Sequence, residues 1–220
     1  ASGTTSATPY TVPQAPTIGT ATNATGQSYT GTASVSVSFT ANATGGSAIT
    51  GYTVTSSSGA TGTGASSPVS VTESSLGTAR TYSVQATNAG GNSSASGTAS
   101  ATPSTVPQAP TIGTVSATNS TTVSIPFTAN ATGGSTITSY TVTSSPSISL
   151  SVSGTSTPLT VTGSFASGTA YTFTMAAVNA NGTSASSSSS NSVTPNSVVS
   201  VTYLVVAGGG AGGSGGTNGN

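Results

Sequence analysis

The sequence predicts an all-β protein: two tandem β-sandwiches with strand-like extensions at both ends. Three observations carry this. The stretch Ser2 to Thr20 (SGTTSATPYTVPQAPTIGT) returns at Ser96 to Thr114 as SGTASATPSTVPQAPTIGT, changed only at Thr5/Ala99 and Tyr10/Ser104, so a unit of about 90 residues repeats. Apolar residues alternate with Ser and Thr at period two, and they are β-branched or aromatic, as half-buried strands require. No segment shows a helical stripe.

Taken in order, residues 1–10 read as the last strand of a preceding repeat or as a donor strand. Residues 11–103 form the first sandwich, 104–195 the second, and 196–220 a strand followed by a glycine-rich tail. Within the first unit, Val35, Val37 and Phe39 alternate with serines in ASVSVSFT, Tyr52 and Val54 alternate in GYTVTSS, and Val69 with Val71 and Tyr82 with Val84 continue the pattern. The second unit repeats it with Val123, Ile125 and Phe127, then with Tyr140 and Val142. Gly45-Gly46, Gly90-Gly91 and Asn181-Gly182 fall where turns are needed. This periodicity argues against a disordered Ser/Thr-rich stalk. The serine run Ser186 to Ser190 reads as a solvated loop. Because the first copy opens part-way through a unit, the chain is expected to be a window on a longer array.

Charge is almost absent. Of 220 residues one is basic and one acidic, Arg80 and Glu73, and there is no His or Cys. Paired carboxylates, a nucleophile with a His base, and the usual zinc or calcium ligand sets cannot be assembled from this inventory, so no catalytic, cofactor or metal site is expected. A single Arg cannot neutralise a phosphate backbone, which argues against nucleic acid as a partner. No apolar run reaches the roughly 18 residues of a membrane helix, so membrane insertion is not expected. Glu73 and Arg80 bracket one turn and are expected to meet there as a surface ion pair of minor structural weight.

Four signatures occur in the same order in both units: a proline-rich entry VPQAPTIG, a strand ending in Phe39 or Phe127, a strand of the form ITGYTV or ITSYTV, and LGTARTYSVQATNAGGNS (Leu76 to Ser93) or FASGTAYTFTMAAVNANGTS (Phe165 to Ser184). Each unit thereby resembles a fibronectin type III domain, an immunoglobulin-like β-sandwich. The resemblance implies that Tyr82 and Tyr171 are tyrosine-corner residues and that Phe39, Phe127, Tyr52 and Tyr140 are core aromatics, the two phenylalanines standing where the family often has Trp. Neither unit has an RGD loop, so integrin binding is not implied. The join of YLVVA to polyglycine near the C-terminus resembles the start of glycine-rich modules in bacterial and phage surface fibres.

Six N-x-S/T sequons, at Asn23, Asn42, Asn92, Asn119, Asn130 and Asn181, are candidate glycosylation sites on a surface rich in hydroxyls. Tyr10, Tyr29 and Tyr203 lie outside the core pattern and are candidates for stacking on sugars. The ends, marked by Ser2 and Thr8 and by Val199, Val201, Leu204 and Val206, are candidate inter-subunit strands for β-augmentation. The expected function is that of a non-enzymatic structural subunit or repeat of an extracellular filament, on a cell or virion surface. It would serve as spacer and adhesion element, with copies of itself or adjoining repeats as partners. The alternative is a receptor- or carbohydrate-binding module of a phage tail fibre or of a polysaccharide-degrading enzyme, with surface glycans as partners.

Overall fold

The computed structural model describes residues 8–196, which contain strands and no helix. In the first unit, β1 (Thr17–Asn23), β2 (Ala33–Thr40) and β5 (Val69–Glu73) form one antiparallel sheet in the order β1-β2-β5. Facing it are β4 (Thr61–Gly64), β3 (Gly51–Ser56), β6 (Arg80–Asn88) and β7 (Gly91–Asn92) in that order, with β8 (Ala99–Ala101) also on β6. Strict alternation along β2 buries Val35, Val37 and Phe39 and leaves the serines between them half-exposed, the signature of a strand covered on one face. Those residues meet Tyr52, Val54, Val69, Val71, Tyr82, Val84 and Ala86 in the core, and the Phe39 and Tyr52 rings lie 4.6 Å apart.

The second unit comprises β9 (Thr111–Ile112), β10 (Ser116–Ala117), β11 (Thr122–Ile125), β12 (Phe127–Thr128), β13 (Ser139–Ser145), β14 (Leu150–Ser153), β15 (Leu159–Gly163), β16 (Thr172–Asn179) and β17 (Gly182–Thr183). Its core repeats the first, with Phe127 and Tyr140 again 4.6 Å apart. Pro126 stands between β11 and β12, where the first unit has an unbroken strand; having no amide proton, it cannot donate to a ladder.

The units differ in one strand. In the first, β4 pairs with β3; in the second, the corresponding β14 has crossed to the other sheet and pairs with β15. The side chains explain the crossing. A Cβ at Gly62 would sit 2.0 Å from the Ser70 carbonyl oxygen and one at Gly64 would sit 2.8 Å from the Val69 side chain, so β4 fits beside β3 because those two positions are glycine. The second unit places Leu150 and Val152 on the equivalent strand, and these pack on the edge of its core. There Gly163 makes room, since a Cβ on it would approach Leu150 Cδ2 to 2.9 Å. The first unit has Glu73 at that position instead.

The last stretch of each unit is not an ordinary strand. Ser184, Ser187 and Ser190 each donate their backbone amide to a β16 carbonyl, of Ala177, Met175 and Phe173, at 2.8 Å. Each also accepts, through Oγ, the amide proton of that same β16 residue at 3.0 to 3.1 Å. Ser93 and Ser96 do the same for Ala86 and Val84. A hydroxyl thus replaces the carbonyl a partner strand would offer, and three residues span what two of β16 span. The run Ser186 to Ser190, expected as a solvated loop, contains two rungs of this ladder.

The strand crossing yields an expected outcome. Gly62→Ala should lower the urea midpoint by an amount equivalent to about 1–3 kcal/mol, the usual cost of forcing extra volume into a packed site. Gly97→Ala, where a Cβ has nothing within 4 Å, should leave it nearly unchanged.

Candidate functional site

Of the chain's two charged side chains, Glu73 is buried inside the first sandwich and Arg80 is half-buried. Glu73 ends β5 with 1% of its surface exposed, although its neighbours in sequence are polar. Its Oε2 accepts a hydrogen bond from Ser58 Oγ at 2.8 Å, while Oε1, Arg80 Nε and Tyr82 Oη are buried without hydrogen-bond partners. The acid is therefore buried and bonded to a serine, where the sequence led us to expect a surface ion pair with Arg80. Burial first, and then the neighbouring Glu73 carboxylate, push the Tyr82 hydroxyl up to about 12, so it stays protonated at ordinary pH. Burial likewise raises Tyr140. An acid and a phenol are thus sealed together under the sheet.

The two tyrosines assigned to the corner differ. Tyr171 Oη accepts the Ala166 amide proton at 3.1 Å, five residues upstream, and its ring packs edge-on against Phe165 with centroids 5.1 Å apart. Tyr82 makes no such bond. Strand register gives the reason: Tyr82 lies opposite Ser56 as Phe173 lies opposite Ser144, so Tyr82 is the counterpart of Phe173. Arg80 stands where the second unit has Tyr171.

Two asparagines that sequence reading passed over hold the entry segments. Asn88 Nδ2 donates to the carbonyls of Thr11 (2.8 Å) and Thr44 (2.7 Å), and Asn179 Nδ2 to those of Thr105 (2.9 Å) and Thr132 (2.8 Å). Each is at least nine-tenths buried, and each Oδ1 accepts an amide proton two residues on. Their matching places in ATNAGG and AVNANG were the available signal.

The junction between units is built by a loop that only the first unit has. Thr17 to Phe39 is six residues longer than Thr111 to Phe127, and the extra length forms a loop closed by Gln27, whose Nε2 donates to the Ala24 and Ser34 carbonyls, both at 3.0 Å. At the end of β1, Asn23 Nδ2 reaches the Thr102 carbonyl (2.9 Å) and Ser104 Oγ (3.0 Å), and from the loop the Gln27 backbone carbonyl accepts the Val106 amide (3.3 Å). Ser104 Oγ continues to Asn181 Oδ1 at 3.3 Å. Opposite, Gly77 donates its amide to Pro103, and Gly77 and Gly134 approach so closely that a Cβ on Gly134 would lie 2.5 Å from the Gly77 nitrogen. A polar cavity of about 230 Å³ remains between Asn23, Gln27, Ser104, Thr105 and Asn181, and Tyr29 lines a neighbouring one of about 360 Å³ against Val106 and Pro107.

Hydrogen bonding sorts the sequons. The amide nitrogens of Asn23, Asn42, Asn130 and Asn181 are donors to protein acceptors, Asn42 and Asn130 to Ala15 and Ala109 at 2.6 Å. Asn92 and Asn119 are exposed and use only Oδ1, Asn92 toward Thr87 and Asn119 toward Thr121. Of the candidate inter-subunit positions, Thr8 is exposed and outside any strand; Ser2, Val199, Val201, Leu204 and Val206 lie outside the described residues, as does Tyr203. Tyr10 and Val12 are exposed large apolar side chains at the top of the first unit. Among the described residues no group of three or more His, Cys, Asp or Glu gathers, and no helix is long and apolar enough to cross a membrane.

Residues 108–193 match the fibronectin type III domain, and the two units together are tandem immunoglobulin-like β-sandwiches. No curated protein sequence matches the chain. Among solved structures, the chain is similar to domains A168–A170 of titin (20% identity, TM-score 0.44), covering 75% of this chain and 59% of that one. It is also similar to the FN1–FN3 domains of chicken CNTN1 (16% identity, TM-score 0.42), covering 84% of this chain and 67% of that one.

The Tyr82 environment sets a pH dependence. A folded value near 12 against an unfolded value of about 10 means that folding favours the protonated phenol, so this contribution is complete below about pH 10 and is lost as pH rises through about 12. Urea midpoints between pH 8 and 12 should fall steeply at the alkaline end. Tyr82→Phe, which installs the residue found at Phe173, should flatten that fall.

Proposed function

We propose that the chain is a non-enzymatic structural element of an extracellular filament or fibre, on a cell or virion surface, in which stacked sandwiches act as stiff spacers. Its partners are then adjoining repeats or copies of itself. The observation that carries this reading is the junction: Asn23 at the end of β1 and Gln27 in the inserted loop that follows hold the start of the second unit directly, in place of a free linker. Inter-domain freedom is the default where such contacts are few, and here the short Pro103 to Pro110 connection is itself hydrogen-bonded to both units. Fibronectin type III repeats typically serve as structural, adhesion or binding modules, in keeping with this role. The binding-module alternative has less support, because the amides lining the junction cavity are already engaged with one another and with backbone.

Glycosylation is part of the same proposal, confined to Asn92 and Asn119. Expressed in a host that performs N-glycosylation, the chain should carry glycan at these two residues by glycopeptide mapping. Occupancy at Asn42 or Asn130, whose amides clamp the entry segments, would count against it.

Small-angle scattering tests the spacer. The wild-type curve should fit one rigid two-domain body, and Asn23→Ala combined with Gln27→Ala should broaden the distance distribution. A wild-type curve that needs a wide ensemble of inter-domain angles would sink the stiff-spacer reading.

A further inference from the structure

The strand crossing leaves an edge open. In the first unit β4 lies along the outer side of β3, where the Ser56 amide donates to the Ala60 carbonyl at 2.8 Å; by alternation Tyr52 and Val54 direct their backbone groups the same way. Their counterparts Tyr140, Val142 and Ser144 on β13 have no strand on that side among the described residues, because β14 has moved to β15. The core registers the loss: Val142 is 9% exposed where Val54 is fully buried. Ile148, Leu150 and Val152, beside the open edge, are only partly buried. None of the usual protections is present, since β13 carries no charge and no proline and keeps unbroken register with β16 over all seven residues.

We propose that this edge receives residues 198–206 (VVSVTYLVV) of a second copy of the chain as an added antiparallel strand. The proposal rests on the fibre reading above and names its joint. The middle of the segment has the pattern an edge of this kind selects: Val199, Val201, Tyr203 and Val205 fall on one side, and Ser200 and Thr202 on the other, flanked there by Val198, Leu204 and Val206. Nine residues at about 3.3 Å each reach about 30 Å, more than the seven of β13 require.

Reach leaves the chain's own segment almost no slack, which favours a second copy. The chain leaves the sheet at Val193, which pairs with Tyr171 on the far side of β16, at the end where Thr172 faces Ser145. A new strand outside β13 lies three strand spacings away, about 14 Å. Residues 194–197 span at most about 17 Å when fully extended. The turn at Pro146 and the loop of residues 164–170 both leave the sheet at that same end, so a connection has to arch over them. A neighbouring copy presents the same edge without that detour. Donor and acceptor are different surfaces, so the contact is heterologous and propagates into an open filament wherever its rotation does not close a ring.

The test uses full-length chains, which contain no cysteine of their own. A copy carrying Thr141→Cys, mixed under oxidation with a copy carrying Ser200→Cys or Thr202→Cys, should form a disulfide-linked heterodimer. Wild-type chains should assemble with concentration in sedimentation and appear as filaments by electron microscopy. Val201→Asp with Tyr203→Asp should abolish both the cross-link and the assembly. Assembly that survives those substitutions, or proceeds without the cross-link, would overturn the β13 joint while leaving the fibre reading intact. A Thr141→Cys, Thr202→Cys chain that closes on itself as a monomer would overturn the second copy as occupant. Wild-type chains that never assemble would overturn the joint and leave the fibre reading to adjoining repeats of one chain.

Discussion

The hydrogen bond between an uncharged side chain and the backbone is what this molecule depends on most. Ordinary domains answer awkward backbone groups at loop crossings with carboxylates, guanidinium groups and lysines as well as amides. Here one acid and one base are present in 220 residues, and both lie in a single patch of the first unit. The work passes to Asn, Gln, Ser and Thr. Asn88 and Asn179 gather the carbonyls of two separate loops, Gln27 closes the junction loop, and serines at every third position supply the oxygen that a partner strand's carbonyl would otherwise present. A buried amide or amide proton left without a partner costs roughly 1–3 kcal/mol, so each of these side chains is as much a part of the fold as the apolar core. The fibre role proposed for the chain draws on the same interaction, because the junction between sandwiches is made of it.

Near-identity at the entries conceals a divergence between the units. The first is longer by a loop that grips its successor, and it keeps both edges of the β3 sheet covered. The second lacks the loop, carries Leu150 and Val152 where glycines would be needed to stay beside β13, and offers Gly163 where they fit instead. Three side-chain positions thus redistribute a strand between sheets without disturbing the packing of Phe127 on Tyr140. One unit is shaped to hold a neighbour at its base, and the other to leave a flank unoccupied.

Much of this was legible in the sequence because period-two alternation is a direct image of a one-sided strand. Val35, Val37 and Phe39 announced their burial, and so did Tyr52, Tyr140 and their neighbours. Reading failed where one residue type serves two environments. Serine at Ser187 is chemically the same residue as in a solvated loop, and within an unbroken serine run nothing marks every third one as a rung of a ladder. Glu73 was assigned to the surface because acids usually are, and its burial depends on Ser58, fifteen residues away on another strand connection. Tyr82 and Tyr171 look alike in ARTYS and TAYTF, yet a two-residue difference in register sends one into the core and the other to the corner.

The scarcity of charge also bears on how the chain would fare among digestive enzymes. Proteases of trypsin-like specificity cut after Lys or Arg, and this sequence offers them one bond, Arg80–Thr81. That bond lies at the head of β6, paired to β8 on one side, with Thr81 donating and accepting across the sheet. A glutamate-directed protease finds Glu73 sealed beneath β5. With these two positions held inside hydrogen-bonded strands, the folded chain gives such enzymes almost nothing to grip.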